Sequence, residues 1–574
     1  MSTPRPEDSG DDLVFRGERE VVLLGGRSRF RALPVQDDRE VWFHGHLLGE
    51  DPTGLPQSKA CGDVPGRFLL VSFEPSRRRV EVAGDRYGFV PLYHATVRDR
   101  LYLSTELADF VRRGLLPAEP DPIALGDFLA FQLALGPRTC LSGVSTLESG
   151  RSLSVDLDSL EIQQARSFDL AARLRDGKRP YAEVEEQLIE LFIAAHERCL
   201  GNADRVGLTL SGGMDTRCLL AATLHLGYPA KAYHVSVPGS RAERYAGLIA
   251  QTAQVPFEAH PLDRAFPPRY YALLSRVVEQ TEAMKFVPQP EMLWLRDVVD
   301  EDSVVLHGAF GEIAKLDVLR DYHFDEAVLG ASRDSLAEVL WRRYESRWRS
   351  NLRVFDPGFR ESLGDPRERL HRVLAAYDAN LGVPEVLQLL YFDEFMKSAR
   401  YGHQLWNERV AIRFPFADPA WVDALLGVRF QDRVQQRFQP AFLERVRPDL
   451  AALPDENTGT RAAASPRLQQ LVRAMDLARI ALLRSSVEAN HGDLVAWLAG
   501  MQPSPEAVLE EAGHDPAFDS ARVAELAASV RRGQRRFGPA RALALRPARR
   551  DAQALQTFLW TRLSWRWLEG LGHA

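Results

Sequence analysis

Seven residues limit this chain more than any others: Ser211-Gly-Gly-Met-Asp-Thr-Arg217, set between the apolar run Val206-Gly-Leu-Thr-Leu210 and a helix-patterned segment from about Thr216 to Leu226. A strand that turns through two consecutive glycines into a helix is the context a phosphate-binding turn requires. Residues without a Cβ let backbone N–H groups approach an anion closely, and the helix adds its partly positive N-terminus. Ser211 supplies a hydroxyl donor, and Asp215 an oxygen ligand suited to Mg2+ beside phosphate. The turn is not the lysine-bearing P-loop, because no lysine lies between Asp204 and Lys231.

The surroundings of the turn set the fold class as α/β. Lys231–Val237 and Ser303–His307 read as strands and Arg241–Thr252 as a helix. Such alternation argues for a parallel sheet with ligands at the carboxyl ends of its strands. Val184, Leu188, Leu191, Phe192, Ala195 and Cys199 share one helical face, and helical patterning dominates from about Leu316 onward. The opening region differs. Arg67–Phe73, Arg79–Ala83 and Arg100–Ser104 are β-rich and broken by Pro75, Gly84, Gly88 and Pro91, which suggests antiparallel hairpins. Leu141–Leu157 again has strand character, and the charged segment Arg173–Pro180 reads as a connection between domains at residues 1–175 and 176–574. The Arg- and Ala-rich stretch Asp519–Ala552 reads as a solvated helical face.

Composition narrows the function. Lys+Arg is 72 against 79 Asp+Glu, so the chain lacks the basic excess of a protein that holds nucleic acid by neutralising phosphates. No signal sequence or membrane span is visible, and four cysteines without C-x-x-C spacing suggest neither a zinc site nor a disulfide framework. A cytoplasmic protein without nucleic-acid or membrane partners is the expectation. Only six lysines are present, Lys59, Lys178, Lys231, Lys285, Lys315 and Lys397, so any mechanism needing a lysine has few candidates.

Two further segments accompany the Ser211 turn. Leu306-His-Gly-Ala-Phe-Gly-Glu-Ile313 places Gly308 and Glu312 at another strand end, with Glu312 a second carboxylate for the same Mg2+. Arg413-Phe-Pro-Phe-Ala-Asp418 reads as a packed corner. The turn itself resembles the S-G-G-x-D-[ST] pyrophosphate loop of ATP pyrophosphatases. Together, and in this order, the three segments resemble the S-G-G-x-D-S, G-x-G-x-D-E and R-x-P-F-L-D motifs of the asparagine synthetase superfamily. Asp85-Arg-Tyr-Gly-Phe-Val-Pro-Leu-Tyr93, Gly66-Arg-Phe and Ser104-Thr-Glu106 are similar to segments of that family's glutaminase domain. The resemblance covers roughly residues 40 to 460. It implies a degenerate Ntn-type glutaminase-like antiparallel β-sandwich, followed by a PP-loop ATP pyrophosphatase domain with a parallel sheet and many helices.

The resemblance also implies an activity: ATP and Mg2+ convert a substrate carboxylate to an acyl-adenylate, and an amine captures it to form an amide. Leu210, Ser211, Gly212, Gly213, Met214, Asp215 and Thr216, with Val235, Ser236 and Gly308, are then expected to hold ATP, and Asp215 and Glu312 the metal. Three departures qualify this. Position 2 is Ser where the family's glutaminase has a nucleophilic cysteine, so no glutamine hydrolysis is expected and the amine must come from elsewhere. No lysine follows Lys397, where the family places one in a C-terminal loop. Arg461, in Asn457–Arg461, lies where that residue is expected and can neutralise pyrophosphate charge, with Lys315, Lys285 or Lys397 as alternatives. Glu312 stands in an altered G-A-F-G-E context.

Members without the glutaminase nucleophile include β-lactam synthetases, carbapenam synthetases and lasso-peptide macrolactam cyclases, and the chain looks like that group in reaction type. The expected substrate carries a carboxylate and an amine; a peptide substrate would bring a peptidase or leader-binding partner. Two other readings compete: an RNA-modifying PP-loop enzyme, disfavoured by the dispersed cysteines and acidic charge, and a non-catalytic scaffold, favoured by the missing loop lysine.

Overall fold

The structure is a computed structural model that describes residues 12–573 apart from 26–29, 36–37, 50, 56–57, 177–178, 287–288, 301–303, 315–325, 408, 435–436, 457–458, 462–470, 473–474, 476–493, 514 and 536–539. Among the described residues, the first region forms two sheets. One has the order β1 (Leu13–Arg16), β2 (Glu20–Leu23), β8 (Arg100–Ser104), β7 (Tyr93–Val97), β9 (Ser145–Thr146). The other has the order β11 (Ile162–Arg166), β10 (Arg151–Asp156), β6 (Arg79–Gly84), β5 (Gly66–Glu74), β4 (Glu40–Leu47), β3 (Arg31–Leu33).

Alternation along β5 explains how the sheets stack. Leu69, Val71 and Phe73 share a core with Phe15, Val21, Leu101, Leu103 and Leu153, so the two sheets form a sandwich. Phe68 and Leu70, on the opposite face, join Val41, Phe43 and Cys61 in a smaller core. The pairings of these sheets are antiparallel except β2 with β8, which is parallel. Turn signals report only pairings between successive strands, so this one lay outside the hairpin reading.

The second region is built on an all-parallel sheet in the order β14 (Phe257–Pro261), β13 (Ala230–Ser236), β12 (Val206–Thr209), β15 (Val304–Leu306), β16 (Ala411–Arg413). From β12 the chain builds outward to β14, then crosses back to build β15 and β16 on the other side. The strand order therefore reverses between β12 and β15, and a crevice opens beyond the carboxyl ends of strands at such a point. Val206, Gly207 and Leu208 are all buried, as befits a strand covered on both faces. Helices α1 (Glu185–Leu200), α2 (Met214–His225) and α3 (Arg241–Ala253) contribute Leu188, Phe192, Cys218, Leu219 and Ile249 to the adjoining core.

Packing runs across residue 175. Tyr87 and Phe89 share a core with Leu188 and Phe192, and Phe128 shares another with Trp560 of the long C-terminal helix Ala540–Leu571. Buried or half-buried charges add ties: Arg86 to Asp423 at 2.7 Å, Arg166 to Asp393 at 2.7 Å, and Lys397 Nζ to the Gly136 carbonyl at 2.6 Å. The charged segment expected as a linker is helical over Leu170–Asp176, because Leu170 and Leu174 anchor it in the core. Among the described residues of Asp519–Ala552, Val523, Leu526, Val530, Ala548 and Ala552 are buried, so those parts of the stretch are not wholly solvated. No described helix is long and apolar enough to cross a membrane.

Candidate active site

Gly213 N-caps α2, and no side chain caps that helix's first turn. An N-terminus left open in this way offers backbone N–H donors and a positive dipole end to an anion. Hydroxyl groups hold the turn in shape. The Ser211 N–H donates to Thr216 Oγ1 at 3.0 Å, the two hydroxyls are 3.0 Å apart, and the Gly213 N–H donates to Ser211 Oγ at 3.2 Å. Thr216 thus keeps the hydroxyl the motif requires. Leu210 and Met214 are buried on either side of the turn.

From the neighbouring strand, buried His234 braces the start of the turn. Its Nδ1 donates to the Leu210 carbonyl at 2.7 Å, which leaves Nε2 to accept from Ser236 Oγ at 2.8 Å. Ser236 Oγ in turn accepts from Ser240, 3.1 Å away, whose hydroxyl also caps α3. Ser236 is therefore engaged in positioning the turn, and Val235 beside it is half-buried.

The Gly308–Glu312 turn nests against α2. A Cβ on Gly308 would lie 2.9 Å from Thr216 Cγ2, and one on Gly311 would lie 2.6 Å from Asp215 Cγ, so only glycine permits the approach. Between them Phe310 adopts φ +74°, a strained backbone costing of order 1 kcal/mol. Its buried ring is fixed by Tyr87, Phe89, His403 and Phe414, with ring centroids 5.1 to 5.8 Å away. Gln439 Nε2, fully buried, donates to Asp215 Oδ1 at 3.0 Å and to the Gly311 carbonyl at 3.0 Å. Glu312 Oε1 accepts from the Tyr391 hydroxyl at 3.2 Å. Tyr391 opens a π-helical turn, Tyr391–Phe395.

Asp215 and Glu312 are thus carried on adjoining strand ends, with Asp215 packed against the residue preceding Glu312. Both are half-buried carboxylates, each held by a neutral donor. Hard oxygen ligands of this kind, beside the N-terminus of α2, fit Mg2+.

A third segment covers the turn. Glu456 N–H donates to the Gly212 carbonyl at 3.1 Å, and a Cβ on Gly212 would lie 2.8 Å from Glu456 Oε2. An acid therefore packs against the turn expected to hold an anion. The buried Arg217 fastens this segment down: its guanidinium donates to the carbonyls of Gly212 (3.0 Å), Leu450 (3.1 Å), Leu453 (3.0 Å) and Pro454 (2.8 Å). Arg461 is exposed at the base of the same loop, where its backbone bridges to Pro454. Lys315, Ser2, Asn457 and Thr458 lie outside the described residues. Lys397 is occupied by Glu394 Oε2 at 2.7 Å and by the Gly136 carbonyl. Lys285 is buried near His307; burial pulls its pKa down to about 8 against the field of Glu291, and His307 is pulled to about 4, by burial first and then by Lys285.

Sequence reasoning passed over His234, Gln439 and Tyr391, and gave Arg217 of the motif no role of its own. Arg217 did carry a signal. A cation in the opening turns of a helix opposes the dipole and calls for acceptors from elsewhere.

Comparison with known proteins adds an independent line. A glutamine amidotransferase domain matches residues 57–166, which hold β5 to β11. Asparagine synthetase [glutamine-hydrolyzing] 2 of Bacillus subtilis (strain 168) is 24% identical over 284 residues, covering 43% of this chain and 38% of that protein. Asparagine synthetase [glutamine-hydrolyzing] 1 of the same organism is 21% identical over 245 residues, covering 40% and 36%. The chain thus spans less than two-fifths of the length of these relatives. The domain match and the two synthetase matches together support the asparagine synthetase superfamily for this chain.

Proposed function

We propose that this chain is an ATP-dependent synthetase that forms an amide bond through an acyl-adenylate. The observation that carries the reading is the nesting of two glycine turns at the sheet's switch point, with Asp215 and Glu312 on adjoining strand ends. In this reading the open N-terminus of α2 and the Ser211–Thr216 turn hold the pyrophosphate portion of ATP, while Leu210, Met214, Val235, Ser236 and Gly308 shape the rest of the nucleotide site. Mg2+, bound by Asp215 and Glu312, would neutralise charge on the leaving pyrophosphate. Gln439 and Tyr391 orient those carboxylates, and Arg461 is the cation of the covering loop.

A substrate carboxylate oxygen attacks the α-phosphorus, the bond to the β-phosphate oxygen breaks, and pyrophosphate leaves. A substrate amine then attacks the acyl carbon, AMP departs, and the amine's proton passes to solvent. Much of the acceleration comes from orientation. The amine belongs to the substrate, since the four cysteines are buried and burial pushes the Cys61 and Cys199 thiols up to about 12, leaving scarcely any thiolate. Residues 1–175 act as a scaffold without glutaminase activity, and 176–574 as the synthetase unit. The substrate we favour is a peptide closed to a macrolactam, with a peptidase or leader-binding partner; a small molecule closed to a β-lactam is the alternative.

One observation favours a second reading, a scaffold without turnover: the Glu456 carboxylate lies against Gly212. Product analysis separates the two. Incubated with ATP, Mg2+ and peptides bearing a free carboxylate and amine, the protein is expected to release AMP and pyrophosphate, and Asp215→Ala to abolish this. ADP and phosphate as products, or unchanged turnover in Asp215→Ala, would contradict the synthetase.

A further inference from the structure

We infer that the chain holds a second small-molecule site, for a neutral sugar, in a cavity of about 400 Å3 where the first region meets the helices Tyr270–Gln280, Met396–Asn407 and Ala540–Leu571. A volume of this size suits a mono- or disaccharide. Both regions build the wall, with Glu106 and Arg112 from one and Glu282, Gln404 and Trp567 from the other. Arg112 and Glu279 are exposed, so the cavity opens to solvent along that rim. Glu282 and Ala283 take φ +50° and +56°, two consecutive left-handed residues without a glycine. Strain of this kind is retained at ligand sites more often than elsewhere.

The charges lining this cavity are compensated by one another or by water. Arg112 pairs with Glu106 at 3.5 Å. Arg67 donates Nε–H to the Phe89 carbonyl at 3.3 Å and lies in the field of Asp85. Glu279 faces solvent at the rim. Glu282 is buried, and burial raises its pKa to about 7, so below that pH its carboxyl is neutral. A wall without an uncompensated buried charge gives an ionic ligand no partner to repay its desolvation, and so selects a neutral one.

What the wall does offer is hydrogen-bonding capacity of both signs. Arg296 donates to Gln280 Oε1 at 3.0 Å, which fixes that amide and leaves its Nε2 as a donor. The Asn407 amide is fixed the other way: Nδ2 donates to the His403 carbonyl at 3.1 Å, which leaves Oδ1 as an acceptor. Gln404 Oε1 is buried with no hydrogen-bond partner among the described residues, an unfavourable state for a polar atom. The terminal torsion of an amide is soft, so a ligand hydroxyl can draw that oxygen to itself. Each hydroxyl of a sugar both donates and accepts, which matches this mixed set. Trp567, with Val90 and Pro91, adds apolar surface for the C–H face of a sugar ring. A wholly hydrocarbon ligand would leave the amides unpaired.

Ligand-observed NMR titration of the full chain with glucose, galactose, maltose, lactose and trehalose tests the inference, with acetate and choline as the controls for an anion and a cation. At least one of the five sugars is expected to bind saturably and in preference to both controls. Its binding is expected to weaken about fivefold or more in Trp567→Ala and in Gln404→Ala. Gln404 Oε1 bonds nothing in the fold, so Gln404→Ala serves where Trp567→Ala does not fold. Binding is expected to persist in Asp215→Ala, which separates this site from the nucleotide site. Absence of binding by all five sugars, equal or tighter binding of acetate or choline, indifference to both wall variants, or loss in Asp215→Ala would each overturn the assignment.

Discussion

Arg217 sits near the start of α2, where the helix dipole disfavours a cation, and its placement makes sense only through four backbone carbonyls drawn from the turn and from residues 450–454. Arg217→Met removes the guanidinium donors from all four carbonyls, while those of Gly212 and Leu450 keep the backbone N–H groups of Glu456 and Leu453. The expected loss is about 3 kcal/mol of apparent stability, read by urea denaturation, together with loss of Mg–ATP binding. Unchanged stability would mean that water replaces the guanidinium freely. Glu456 acts in the opposite sense, since its carboxylate lies against Gly212 of the turn expected to hold the phosphates. Glu456→Gln keeps the shape and removes the charge, so Mg–ATP binding measured by calorimetry should tighten about fivefold, or about 1 kcal/mol. Weaker binding would instead assign Glu456 a supporting role toward the nucleotide.

At the scale of elements, the site depends on two turns lying close enough for one to touch the other's carboxylate. Gly311→Ala drives a Cβ toward Asp215 Cγ, the mobile end of a side chain, so the fold should tolerate it while the carboxylate moves. The expected outcome is a melting temperature within about 4 °C of the parent and Mg–ATP binding weakened about tenfold. A large loss of stability with binding retained would contradict this. How much of this was legible follows from range. β12, β13, β15, α2 and α3 could be read because apolar runs and glycine punctuation are local signals. β14 and β16 could not. Phe257-Glu-Ala-His-Pro261 is at most half-buried along its length and reads as polar, and Ala411–Arg413 is three residues, the last of which opens the segment Arg413–Asp418 that reads as a corner. Both are edge strands, recruited by neighbours distant in sequence. Within the site the motif residues were visible, whereas Gln439, Tyr391 and His234 come from elements whose arrival there is decided by tertiary packing.

At the scale of the whole molecule, polar groups buried between the two regions make stability depend on pH. Glu282, with φ +50°, accepts the Ala108 N–H at 3.0 Å, and burial raises its pKa to about 7. The folded state therefore keeps a proton that the unfolded chain has already lost above its own carboxylate range. Stability from this group is fully present below about pH 4.5 and is lost as pH rises through about 7, a difference of about 3 kcal/mol. Glu282→Gln cannot ionise and accepts the same N–H. Thermal melts should show the variant more stable than the parent at pH 8, with the difference shrinking toward pH 5; a constant difference would contradict the assignment. The proposed synthetase function rests on the crevice between β12 and β15 gripping a nucleotide. The most direct measurement is a calorimetric titration of Mg–ATP into the parent chain and Asp215→Ala. The account predicts saturable binding by the parent that weakens at least about tenfold in the variant, and equal binding by both, or none by the parent, would contradict it.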